Sequence, residues 1–137
     1  MQRFSSNRVE IALIGDGKAE LLTDFYYEND NIKVIVKKGF IFDGASIPRF
    51  FWRVIGHPFS YKVVRAGLVH DILYATEYLN RDAADDLFSE MLDYSGVSAI
   101  KEHVMYDVVR VAGGSVWDEH TEQSVLEALK YIEVVVK

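Results

Sequence analysis

The chain predicts an α+β fold, with an N-terminal antiparallel β-meander followed by a helical body that contains an antiparallel helix pair. Three observations lead there. Apolar residues alternate in short runs broken by Gly, Asp and Asn as far as Phe42; from Phe59 onward they recur at helical spacing; and no internal repeat or low-complexity linker divides the two parts. The 137 residues suit one domain, about 1–48 β-rich and about 49–137 mainly helical, with a hydrophobic core and no room for a second domain.

The strands come first. Val9 to Ile14 alternates weakly, Gly15-Asp16-Gly17-Lys18 has turn chemistry, and Ala19 to Tyr27 resumes with Leu, Thr, Phe and Tyr, as a hairpin requires. Glu28-Asn29-Asp30-Asn31 is a second turn. Ile32 to Lys38 gives a third strand, which Gly39 to Phe42 continues or follows as a fourth.

Helices account for the rest. Phe59 to about Tyr78 carries Val63, Val64, Gly67, Leu68, Ile72 and Leu73 at helical spacing. Asn80 is placed to cap the next helix, whose stripe is Ala83, Ala84, Leu87, Phe88, Met91 and Leu92 and whose end is Ser95-Gly96. Val97 to Ala112 reads as a third helix stopped by Gly113-Gly114, and Glu119 to about Val136 as a fourth, with Val134-Val135-Val136 equally suited to a short strand.

Composition removes several function classes. A net charge of −6 with dispersed Lys and Arg argues against a nucleic-acid binder, which needs clustered cations facing phosphate. The chain has no cysteine, so packing and not disulfides must hold it. No apolar run reaches membrane-spanning length and the N-terminus has no signal-peptide core, so a soluble, unexported protein is expected. The four histidines lack the spacing of a zinc site, and no organic cofactor is indicated.

Chemistry concentrates in His70-Asp71-Ile72-Leu73-Tyr74 and the acidic helix that follows from Arg81. His70 and Tyr74, four apart, share a helix face, and Asp71 lies about 100° round the same cylinder. If the two helices fold back on each other, Asp85 faces the imidazole: a base with an orienting carboxylate, about 2.6–3.2 Å apart, and a spare carboxylate beside it. His70, Asp85 and Tyr74 are the catalytic candidates, Asp71 with Asp43 the metal candidates. The bland alternative is a buried histidine satisfied by its neighbours, with Asp71 paired to Arg65 or Arg81. Asp82 and Asp86 read as solvated or capping; His103 and His120 as helix residues among ordinary polar neighbours.

Asp43-Gly44-Ala45-Ser46-Ile47-Pro48, with Phe50-Phe51-Trp52 after it, joins the halves. Turn and cap uses of Asp and Ser are the commoner ones. The aromatics would nonetheless pin the segment to the sheet–helix junction, so Ser46, Trp52, His57 and Arg81 are expected to line the site.

These three motifs, Asp43 to Pro48 with Trp52, His70 to Tyr74, and Arg81 with Ala84-Asp85 and Phe88, resemble the phage and prophage family called domain of unknown function 1353. The resemblance implies a bacteriophage or prophage origin, in the host cytoplasm or the virion, and no established activity. The His-Asp-x-x-Tyr and Ala-Asp-x-x-Phe helices are also distantly similar to the core of phospholipase A2. That likeness implies His70 as the base that activates water, Asp71 as a calcium ligand, Asp85 as the orienting carboxylate and Tyr74 as its hydrogen-bonding neighbour, acting on phospholipid or another acyl ester. Its Gly-rich calcium loop has no clear counterpart at Gly56-His57-Pro58 or at Asp43 to Ser46. Two functions therefore stand side by side: a calcium-dependent ester hydrolase, and a non-catalytic phage virion, tail or host-protein-binding component in which the polar cluster is architectural.

Overall fold

The structure, a computed structural model, describes residues 1–15, 17–42 and 59–137. Its strands are β1 (Arg3–Phe4), β2 (Ile11–Gly15), β3 (Lys18–Leu21), β4 (Phe25–Glu28), β5 (Ile32–Val36), β6 (Ile41–Phe42) and β7 (Ile132–Val136). Its helices are α1 (Tyr61–Thr76), α2 (Arg81–Tyr94), α3 (Ala99–Asp118) and α4 (Glu122–Ala128), the last followed by a 3-10 turn at Leu129–Tyr131. The α+β layout holds, and every strand pair is antiparallel.

The expected meander is two sheets, in the orders β1-β4-β5-β7 and β2-β3-β6. What reads as one strand from Ala19 to Tyr27 splits at Leu22–Asp24. There the Asp24 carboxylate accepts from the Lys38 backbone N–H at 2.8 Å and the Leu22 N–H donates to the Glu10 carbonyl at 2.9 Å, so the chain leaves one ladder and enters the other. The second turn is built as its residues suggest, with Asn29 Oδ1 accepting from the N–H groups of Asn31 (2.8 Å) and Ile32 (2.9 Å). Gly15 and Gly17 take left-handed φ values of 91° and 72° at the first turn; its Asp16 lies outside the described residues.

The C-terminal segment resolves in favour of the strand. After α4 the chain pairs β7 with β5, Val34 opposite Val134, so residues from both ends of the sequence share one sheet. Helix α4 is shorter than the periodicity suggests because Thr121 starts it with a reciprocal cap to Ser124 and β7 claims the valines.

Helix α1 is central, with Leu68, Val69, Ile72 and Leu73 fully buried among Phe25, Tyr27, Val34 and Val36 of the sheet, Phe88, Met91 and Leu92 of α2, and Met105 and Val109 of α3. Asn80 caps α2 as expected, its side chain accepting from Ala83 N–H at 2.8 Å. Lys62 at the start of α1 donates to the Gly96 carbonyl just past α2 (3.4 Å), while Tyr74 near the end of α1 meets Arg81 at the start of α2 (3.1 Å). The pair is antiparallel, as a short connection favours.

One expected helix end is absent: α3 runs through Gly113-Gly114 to Asp118. The glycines serve approach, not termination. A Cβ on Gly113 would stand 2.7 Å from Tyr74 Oη and 3.2 Å from an Arg81 guanidinium nitrogen. His120, read as a helix residue, follows α3 in the turn before α4.

Candidate functional site

The antiparallel packing of α1 and α2 sets His70 against Asp85, with Nε2 and Oδ1 2.7 Å apart. The separation lies in the range expected for a hydrogen-bonded base and carboxylate. Asp85 Oδ1 also accepts from Tyr74 Oη at 2.6 Å, and Oδ2 accepts from Arg110 Nη1 at 2.7 Å. Both members of the central pair are interior: His70 is 2% exposed and Asp85 0%. The imidazole is held between Tyr74 and Phe88, whose ring centroids lie 4.3 and 4.6 Å away, and Trp117 meets the Tyr74 ring edge-on at 5.2 Å.

Arg81 ties the third helix in. Its Nε donates to Tyr74 Oη at 3.1 Å and its Nη2 to the Val109 carbonyl at 3.1 Å and to the Arg110 carbonyl. Arg110 in turn bridges Asp85 and the exposed Asp82, the latter at 2.8 Å. Asp86 accepts from Tyr106 Oη at 3.1 Å on the solvent side. Asp82 and Asp86 are thus surface carboxylates, as expected, though Asp82 helps aim Arg110.

Burial by itself would push the Asp85 carboxyl up; the hydrogen bonds from His70, Tyr74 and Arg110 outweigh it and hold the group below the usual carboxylate range. Asp85 is therefore ionised at neutral pH and only accepts. Nε2 of His70 must carry the proton it shares, and in a neutral ring the lone pair is on Nδ1, which is also buried. The Tyr74 hydroxyl is pushed well above its ordinary value by burial and by the bond to Asp85, so it remains a donor.

Asp71 lines a groove of about 250 Å³ with Phe40, Phe42, Tyr74, Val116, His120 and Lys18. The alternative partners considered for it are engaged elsewhere: Arg65 lies over the rings of Phe4 and Tyr61, and Arg81 is the clasp just described. Among the described residues no group of three or more His, Asp or Glu is arranged to hold a metal ion. His120 contacts Glu77 at 3.4 Å and lines the same groove as Asp71 and Tyr74, while His103 contacts Asp107 at 3.4 Å on the exposed face of α3.

The structure therefore brings together His70, Tyr74, Arg81 and Asp85, and sets Asp71 on an adjoining groove. Asp43, Ser46, Trp52 and His57, with the whole Asp43–Pro48 turn, lie outside the described residues. Two participants were not anticipated from the sequence. Arg110 supplies the second cation on Asp85, and Gly113 admits Tyr74; their shared face on α3, three residues apart, is the signal that marks a close approach by another helix. No described helix is long and apolar enough to cross a membrane.

A family model described as a protein of unknown function, DUF1353, matches residues 19–109. An uncharacterized protein, y4jT, of Sinorhizobium fredii is 37% identical over 97 residues, which are 69% of this chain and 28% of that protein. The chain thus spans less than a third of the length of this curated relative. No solved structure matches.

Proposed function

The chain belongs to the DUF1353 family, whose description assigns no activity, so its function is read from its own residues, and we propose that it is an ester hydrolase of phospholipase A2 type with His70 as general base. One observation carries the reading: an ionised, interior Asp85 bonded to Nε2 of His70 at 2.7 Å and held by Tyr74 and Arg110. In this arrangement the Nδ1 lone pair removes a proton from water as the water oxygen adds to the acyl carbonyl. Asp85 stabilises the imidazolium, which then protonates the departing alcohol as the tetrahedral intermediate collapses to acid and alcohol. The apolar groove beside Asp71 is the place for the acyl portion of a phospholipid or related ester.

Calcium belongs to this proposal through Asp71 and Asp43. Asp43 lies outside the described residues, and Asp71 is the one carboxylate among the described residues lining the groove, which Lys18 also lines. The described donors alone do not fit a hard dication that takes six or more oxygens, and no step above depends on it. The setting we propose is a bacteriophage or prophage one, in the host cytoplasm or the virion, where ester hydrolysis would act during infection or lysis.

A second reading is favoured by the burial of the cluster. With His70 2% and Asp85 0% exposed and two arginines closing over them, the network serves equally to lock three helices in a non-catalytic virion, tail or host-protein-binding component. Hydrolysis of mixed phospholipid vesicles and of a soluble aryl ester, with and without calcium, separates the two. As an enzyme, the wild type hydrolyses at least one, His70→Gln abolishes turnover, Asp85→Asn lowers it by orders of magnitude, and Asp71→Asn weakens the calcium response selectively. A wild type inactive on both and blind to calcium, with all three variants simply less stable, would establish the architectural reading.

A further inference from the structure

The edges of the two sheets are not alike. β1 and β6 are two residues long, and β2 suffers a register shift between Leu13 and Gly15. Short strands and bulges are how natural sheets blunt an edge against pairing with another chain. β7 has neither protection: its five residues, Ile-Glu-Val-Val-Val, run in unbroken register with β5 and contain no Pro or Gly.

Two flanking hydrogen bonds give the phase of this strand. Lys37 N–H donates to the Tyr131 carbonyl at 2.8 Å and Lys137 N–H to the Asn31 carbonyl at 3.0 Å. Hydrogen-bonded pairs alternate along an antiparallel ladder, so Glu133 and Val135 also direct their main-chain groups at β5. Ile132, Val134 and Val136 then turn their N–H and C=O groups outward, and among the described residues no strand lies on that side. Val135 and Val136 remain 44% and 75% exposed.

We propose that β7 pairs antiparallel with β7 of a second copy of the chain, about a two-fold axis at Val134, to make one continuous sheet. The occupant follows from the sequence of the edge, because about Val134 the strand is its own complement. Ile132 meets Val136 of the second copy and Val134 meets Val134, each pair exchanging two main-chain hydrogen bonds. All these side chains are β-branched and share the sheet face of the buried Val34 and Val36, so pairing extends the core layer across the axis. Glu133 meets Val135 of the second copy and not a like charge, and keeps its own Lys37 at 3.3 Å. The contact is small, so the association is reversible and concentration-dependent.

Sedimentation across a wide concentration range tests this. The wild type is expected as a monomer–dimer equilibrium. Val134→Pro removes an outward donor while sparing the bonds to β5, so it should sediment as a monomer with nearly unchanged melting temperature. In the wild type, exchange of the Val134 and Val136 amides should slow as concentration rises. A wild type that stays monomeric throughout, or a Val134→Pro protein that dimerises as strongly, would overturn the proposal. If that variant fails to fold, the amides decide: exchange at Val134 and Val136 independent of concentration also overturns it.

Discussion

At the scale of single residues, Asp85 is where the physical chemistry is most concentrated. A carboxylate at 0% exposure is unfavourable by itself, and it is stable here because one oxygen accepts from His70 and Tyr74 and the other from Arg110. Its carboxyl is held below the ordinary value, so the folded state binds fewer protons than the unfolded chain. The stabilisation is therefore complete above the unfolded pKa, about 4, and is lost as pH falls through the folded value. Asp85→Asn should cost about 1–3 kcal/mol at pH 7, because three donors lose a charged acceptor. The gap between wild type and variant should narrow below about pH 4. Denaturant melts across pH 2.5–7 check this (about one melt per half unit suffices); a gap that persists undiminished at the acid end would show that the ionised carboxylate is not the stabilising species.

At the scale of elements, the instructive case is α3. A pair of glycines after sixteen apolar-periodic residues reads as a helix stop, since glycine is the poorest ordinary helix former and the commonest C-terminal residue. Tertiary packing reverses that reading: Tyr74 stands where a Gly113 side chain would be, and its hydroxyl is pinned by Asp85 and Arg81 so that it has little room to yield. Gly113→Ala is expected to destabilise by about 1–3 kcal/mol in spite of its better helix propensity. Gly114→Ala, whose Cβ would meet Arg81 no closer than 3.6 Å, should be neutral or stabilising by up to about 1 kcal/mol. Thermal melts of the two variants side by side make the test, and equal responses would refute the packing account.

At the scale of the whole molecule, the two ends of the chain close the fold together. β7 supplies the outer neighbour of β5, and Lys137 pairs with Glu28 at 2.7 Å while Arg3 of β1 takes the other carboxylate oxygen at 2.7 Å. Those two cations hold the Glu28 carboxyl down at about 2. Tyr27 and Asn29 then link the sheet to α2 through Glu90, at 2.8 and 3.0 Å. Removing residues 132–137 should therefore cost more than the loss of a peripheral strand. We expect a melting temperature lower by about 10 °C or more, read by circular dichroism; an unchanged melt would mean that β5 does not depend on β7.

The order of strands before helices, the Asn80 cap and the apolar faces of α1 and α2 were all legible in the sequence, because each depends on residues a few positions apart. The His70–Asp85 approach was legible too, since a helix of known period and a short connection leave few ways to place the pair. The division into two sheets, the return of β7 to β5, the passage of α3 through Gly113 and the arrival of Arg110 at the site beside the expected Arg81 were decided by tertiary structure alone. Each joins residues far apart in the chain, where local propensity is weak and the favoured arrangement is the one that buries apolar surface while giving every interior polar group a partner.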